Sequence, residues 1–232
     1  FLLVQGDTST VTAAALAAFA AAATAQAAGY AIDPTHTNVY FEARHFGTST
    51  NRARFDKKSG TVEFDRAAKT GKVDVTIDTT SINSGVAPFD KHLRSDEFLD
   101  AEKHPAAVFK GDKFVFDGDK VTEVQGTLTI RGKTHPLTLK ATTFNCYDHP
   151  MLKREVCGGD FETTIKRSQW DINWGLQMGV ADMTKLVIQV EAVKQAAVDA
   201  PSTDGLDLVA DVTCGAPWIA PTTGTSRWRV VA

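Results

Sequence analysis

Between residues 127 and 139 the chain reads Thr-Leu-Thr-Ile-Arg-Gly-Lys-Thr-His-Pro-Leu-Thr-Leu. Leu128 and Ile130 alternate with Thr127 and Thr129, and beyond Arg131-Gly132-Lys133 the residues Leu137 and Leu139 alternate with Thr138 and Lys140. A period of two on either side of a glycine turn is the pattern of a β-hairpin with one apolar and one polar face. Repeated around a closed sheet, that pattern leaves two outcomes: a filled core, or an apolar cavity with a wet exterior.

The 232 residues, 43% of them hydrophobic, suffice for one β domain with extensions. A net charge of −3, with Lys and Arg interleaved among Asp and Glu, leaves no basic footprint for nucleic acid. Residues 11–28 are almost all Ala with Leu16 and Phe19, and they close on Ala25-Gln26-Ala27, the small-x-small pattern of a signal-peptidase site. Residues 1–27 are therefore read as the remnant of a secretion signal, and the mature domain as residues 28–195. The alternative, a membrane helix, is disfavoured because Ala is weakly apolar and no stop-transfer cluster of charge follows. Residues 196–232, rich in Ala, Pro, Ser, Thr and Gly around Trp218 and Trp228, are expected to form a flexible or foreign tail.

Within the domain, residues 37–46 place Val39, Phe41, Ala43 and His45 on one face, which predicts a strand with its histidine on the buried side. A turn is expected at Lys57-Lys58-Ser59-Gly60 before a strand at 61–64, and another at Thr70-Gly71 before a strand at 72–82 with Val73, Val75 and Ile77 inward. From residue 86 the period changes. Val86, Phe89 and Leu93 fall at helical spacing, predicting a helix or two short turns over 86–99 that covers one end of the core. Strands resume at 106–110, 113–116 and 121–125, with Asp117-Gly118-Asp119 as a hairpin turn, and then through the opening hairpin to about residue 145. Strands at 160–166 and 185–193 complete about eight or nine in one antiparallel series.

Cys146 and Cys157, about ten residues apart across a loop between strands, suit a disulfide in an exported protein, with Cys214 left over. The competing reading takes Cys146, His149 and Cys157 as zinc ligands, but a fourth ligand at the right spacing is missing. No HExxH, GxSxG or glycine-rich phosphate loop occurs in the chain, and Asp90 and His92 lie close together without a nucleophile at hand. No catalytic or metal-binding residue is assigned.

Four segments carry a resemblance: Tyr30-Ala31-Ile32-Asp33-Pro34-Thr35-His36-Thr37-Asn38-Val39-Tyr40-Phe41, Asp90-Lys91-His92-Leu93-Arg94-Ser95-Asp96-Glu97-Phe98-Leu99-Asp100, Gly126-Thr127-Leu128-Thr129-Ile130-Arg131-Gly132-Lys133, and Ile165-Lys166-Arg167-Ser168. Together, in this order, they resemble the YceI family of bacterial periplasmic proteins from about residue 29 to about residue 195. The resemblance implies an all-β fold, an eight-stranded antiparallel lipocalin-like barrel with one short helical segment at an end. It also implies an apolar interior that holds a long isoprenoid chain of the polyprenyl-quinone or polyprenyl-phosphate type. It does not imply catalysis, or a cofactor beyond such a bound lipid. In that family's Arg-Ser-x-x-Gly run this chain has Asp171 where glycine is expected.

The inward phase makes Phe41, Phe64, Val75, Ile77, Leu128, Ile130, Leu139, Phe161 and Ile188 the expected lining, with Phe89, Leu93 and Phe98 closing one end and His45 meeting a polar head group. For each of these residues ordinary core packing is the competing explanation. The expected function is a periplasmic carrier of a long-chain isoprenoid or similar lipid, with transient membrane contact and a homodimer both compatible with it. Two other classes remain open: a lipid-modifying enzyme using the same cavity, and a filled barrel acting as a stress-related interaction module.

Overall fold

A computed structural model describes residues 27–196. The expected signal remnant and tail, with Cys214, thus lie outside the described residues. The described chain forms β1 (Ala28–Ile32), β2 (Asn38–His45), β3 (Ser49–Phe55), β4 (Lys58–Asp65), β5 (Thr70–Asp78), β6 (Ile82–Asn83), α1 (Ala87–Arg94), β7 (Ala106–Asp117), β8 (Lys120–Ile130), β9 (Lys133–Asp148), β10 (Glu155–Lys166) and β11 (Met183–Lys194).

Every pairing is antiparallel, and the eleven segments fill eight positions around a closed barrel. β11 is long enough to serve two neighbours. Its Thr184–Gln189 stretch pairs with β2, and Ala192, Val193 and Lys194 pair with β1. β1 then pairs with β4 and β2 with β3, so each of the first positions is one bent strand made of two pieces. The ring closes through β4, β5, β7, β8, β9, β10 and β11. Closure leaves few free edges among the described residues: the β2–β3–β6 branch ends on the two-residue β6, which pairs only with Arg54 and Phe55 of β3.

The opening hairpin is β8 and β9, joined by two residues. Arg131 and Gly132 both have positive φ, 50° and 72°, which is the left-handed pair that matches the twist of the strands on either side. Bulges at Asp112 in β7, Thr122 in β8 and Thr142 in β9 each insert one unpaired residue and curl these long strands around the barrel. Because of the first bulge, the two strands expected at 106–110 and 113–116 are one.

Several expected boundaries shift for physical reasons. Lys58–Gly60 is strand, not turn: a Cβ at Gly60 would collide with the Asp74 carbonyl and the Ile32 side chain, so this glycine marks a close approach between strands. Gly71 likewise lies in β5 with the Phe114 ring packed onto it. The strand expected to reach residue 82 stops at Asp78, whose carboxylate accepts the Thr80 N–H at 2.9 Å and caps a 3-10 turn, Thr79–Ser81. Two strand segments, β1 and β3, were not expected at all.

α1 starts with Pro88 in its first turn, where a missing N–H costs nothing. Asp90 reaches back to accept from the Ser84 N–H at 2.7 Å and the Ser84 hydroxyl at 2.6 Å, which ties the helix to β6. Leu93 is buried beneath it. The helix ends at Arg94, earlier than residue 99, and residues 95–100 turn back with the Asp100 N–H on the Ser95 carbonyl at 2.7 Å. The cover expected for one end of the core is present and is shared with the segment that follows β10. There Trp170, 1% exposed, packs edge-on to His135 at 5.0 Å and donates its indole N–H to the Leu128 carbonyl.

The opposite end of the barrel is solid. Phe64 stacks on Phe116 at 5.8 Å and meets Phe144 at 5.7 Å and Tyr30 at 6.3 Å. Cys146 and Cys157, directly opposed in the β9–β10 register, form the expected disulfide, with 4.1 Å between their Cα atoms.

Candidate binding cavity

Between the aromatic base and the helix-covered end the barrel is not filled. An upper chamber of about 370 Å³ lies under α1, and a lower one of about 110 Å³ lies toward the base, with Val39 lining both. Strand alternation builds these walls. In β2 the inward phase is Val39, Phe41 and Ala43, opposite Phe55, Ala53 and Asn51 of β3 on one side and Ile188, Leu186 and Thr184 of β11 on the other.

All thirteen residues singled out from the sequence face one chamber or the other. Phe41, His45, Ile77, Phe89, Leu93, Phe98, Leu128 and Ile130 line the upper chamber. Phe64, Val75, Leu139, Phe161 and Ile188 line the lower one. Phe41, Val75, Leu139 and Ile188 point inward yet are only half-buried, because what they face is space.

His45 requires a correction. It is exposed at the mouth of the upper chamber, with its ring edge-on to Phe46 at 4.8 Å, and is not buried as the alternation predicts. β2 overshoots the rim there, so the inward phase opens onto solvent at its last residue.

Several lining residues were missed. Tyr30, Phe109, Phe144 and Leu186 share the inward phases of their strands and were findable by the same count. Arg167, Ile172 and Trp174 sit on a segment without period and leave no such trace. Arg167 is 6% exposed. Its Nε–H donates to the Ala181 carbonyl at 2.9 Å, and its two terminal nitrogens to the Ile172 and Trp174 carbonyls at 2.7 and 2.8 Å. That fork fastens residues 172–181 over the barrel end. Burial pulls its pKa below the ordinary arginine value, and the negative field of Asp182 opposes the shift.

At the rim, His92 stands edge-on to Phe98 and Trp174, at 4.8 and 4.7 Å, while its Nε2 lies 2.6 Å from the Glu97 carboxylate. Among the described residues no serine, threonine or cysteine side chain completes this pair; the nearby Ser95 hydroxyl is turned to the His92 carbonyl. The zinc reading fails on chemistry: Glu155 lies close to Cys146 and Cys157, but the two sulfurs are bonded to each other and offer no thiolate.

A closed eight-stranded antiparallel barrel with an unfilled apolar interior, one solid end and one helix-covered end is a lipocalin-like binding scaffold. Residues 30–192 match the YceI-like domain, and the chain belongs to that family. It is 37% identical to protein YceI of Escherichia coli O157:H7 over 178 residues, 75% of this chain and 91% of that protein. Among solved structures, a Campylobacter jejuni YceI protein matches with a TM-score of 0.58 at 28% identity, covering 66% of this chain and 90% of that one. A polyisoprenoid-binding domain from Saccharophagus degradans shares the fold, with a TM-score of 0.53 at 14% identity over 72% of this chain and 98% of that domain.

Proposed function

We propose that the protein is a carrier that takes a long-chain lipid of the isoprenoid type into the barrel and shields it across an aqueous compartment, the periplasm. The observation that carries this reading is the upper chamber, about 370 Å³ of apolar-walled space that the inward side chains leave unfilled. An apolar guest restores the contacts such walls lack. Burying about a dozen methylene groups would contribute on the order of 10 kcal/mol from water, before ordering costs of similar size. The fold shared with a polyisoprenoid-binding domain supports the choice of guest. The cross-strand disulfide and the Ala-rich segment ahead of the barrel support the compartment.

Binding is favoured over turnover because two polar groups of the upper chamber are engaged in its own frame, Arg167 on three carbonyls and His92 on Glu97. A lipid leaving a bilayer gains little from an apolar cavity, since lipid tails are already apolar. Exchange therefore calls for brief contact between mouth and membrane. Phe46, 54% exposed and held at φ 47°, stands at that mouth beside Gly179, next to Met178, which is 59% exposed.

Native mass spectrometry of protein purified from its own host tests the reading. The expected result is an additional mass, released by organic solvent, that fragments as a prenyl lipid. Protein that is always empty, and that fails to take up any added prenyl lipid, would overturn it.

A further inference from the structure

We propose that the partner at the mouth is an anionic phospholipid bilayer, which Phe46 enters while Arg44 faces its phosphates; this rests on the carrier reading above and names the surface the carrier meets. Phe46 is the residue that points there. The β2–β3 turn runs at positive φ through Phe46 and Gly47, 47° and 71°, a pair that small or polar residues adopt at least cost. The five other non-glycine residues with positive φ among those described, Lys69, Asp100, Arg131, Lys153 and Asp171, are all charged. Phe46 alone is apolar. It is 54% exposed, and its ring neighbour His45, 4.8 Å away, is exposed too, so neither turn chemistry nor packing accounts for an aromatic ring here. A strained, bulky side chain turned outward is placed to meet something beyond the barrel.

Two more apolar side chains stand at the same rim. Met178, 59% exposed, ends the 3-10 turn Leu176–Met178 and precedes Gly179, which abuts the Phe46 ring. Met183, 49% exposed, opens β11 one residue before Thr184, the partner of Ala43 in β2. Phe46 and Val180 also border the upper chamber, so this rim is continuous with its apolar walls. The charge beside it is positive. The Arg44 guanidinium rests on the Gly47 carbonyl at 2.5 Å and the Thr50 hydroxyl at 3.3 Å, neutral partners that leave its charge whole. Among the described residues no carboxylate comes within 4.0 Å of it, and no Asp or Glu borders the upper chamber. Asp182, next to Met183, is held by the Ser168 N–H and hydroxyl at 2.9 and 2.8 Å, and its charge acts on Arg167. On the α1 side Glu97 is paired with His92, and Asp100 with Lys103. Exposed apolar side chains beside an uncompensated arginine match the boundary between acyl chains and phosphates. With the mouth against that boundary, a lipid tail moves between membrane and chamber without crossing water.

Sedimentation of the full chain with phosphatidylcholine vesicles, with and without about 30% phosphatidylglycerol, tests the docking face and needs no cargo. The anionic vesicles are expected to bind about fivefold tighter than the neutral ones, the size of one arginine at a charged surface, with the gap narrowing as salt rises. Phe46→Gly is expected to weaken that binding about tenfold, while its denaturation midpoint stays level or rises because glycine takes the left-handed turn without strain. Met151→Ser changes a side chain that is 83% exposed on the β9–β10 loop at the solid end, and is expected to leave vesicle binding unaltered. Undiminished binding by Phe46→Gly, or a loss with Met151→Ser in its place, would overturn the assignment to the mouth. Equal binding to both vesicles would remove the role of Arg44 and of anionic lipid. Binding to neither would overturn the bilayer as partner and leave this face to an acceptor protein. A chain that docks yet never takes up a prenyl lipid would overturn the carrier reading alone.

Discussion

Asp171 stands at φ 58° and ψ 25°, in the left-handed region, as the residue that ends the 3-10 turn Arg167–Trp170. Family likeness places glycine at this point, and the backbone shows why: a Cβ is strained there, and Asp is among the few side chains that tolerate it. Its carboxylate pairs with Lys133 at 2.5 Å, but both side chains are about half exposed, so the pair contributes little. Asp171→Gly is therefore expected to stabilise the protein by about 0.5–1 kcal/mol, measured as a higher denaturation midpoint, because relief of strain outweighs a surface ion pair and the added freedom of the unfolded chain. A lower midpoint would show that the Lys133 contact holds the segment over the barrel end. Phe46 carries a similar strain on the β2–β3 turn, with its ring outward at the mouth.

At the scale of elements, four strand ends meet at Glu155, the first residue of β10. The hydroxyl of Tyr30 in β1 donates to its carboxylate at 2.5 Å, Arg66 just beyond β4 at 2.5 Å, and Lys194 of β11 lies 3.4 Å away. Burial by itself would raise this carboxyl, but Tyr30, Arg66 and Lys194 together hold it below its ordinary 4.5. A lowered pKa in the folded state means stability that is fully present above about pH 4.5 and is lost as pH falls through the folded value. Denaturant midpoints are expected to drop with acid below that point. Glu155→Gln, which keeps an acceptor for Tyr30 but no charge, is expected to flatten that drop and to lower neutral-pH stability by about 1–2 kcal/mol. An unchanged acid slope in the variant would place the acid-sensitive group elsewhere. Other elements differ in how far their sequence announces them. The β8–β9 hairpin was legible because Leu128 and Ile130 on one arm and Leu137 and Leu139 on the other keep period two on either side of a two-residue glycine turn, although in register Leu128 opposes His135 and Leu137 opposes Gly126. β3 was not, since its inward residues are Asn51, Ala53 and Phe55, only one of them a large apolar side chain. The lining was readable wherever period two ran unbroken. Arg167 and Trp174 were invisible because they reach the chamber from a segment whose path is set by hydrogen bonds to its own carbonyls.

Across the whole molecule, the fold resolves the question that the strand pattern left open, filled core or cavity, by doing both. Phe64 and its aromatic neighbours fill the base, while Phe41, Ile130 and Leu128 face open space under α1. Val39, 7% exposed, lines both chambers, so a guest that occupies both lies against this side chain. Each methylene group buried there adds up to about 0.8 kcal/mol of transfer from water. Val39→Phe crowds this shared wall at an overpacking cost of about 1–3 kcal/mol in stability, which a melting curve on the same sample would register. In that variant, affinity for geranylgeranyl phosphate is expected to fall about tenfold or more, while affinity for the shorter geranyl phosphate stays within about threefold, because only the longer tail needs the lower chamber. Equal losses for the two ligands would mean that the tail does not pass Val39, and that the lower chamber is a packing defect and not part of the binding tunnel.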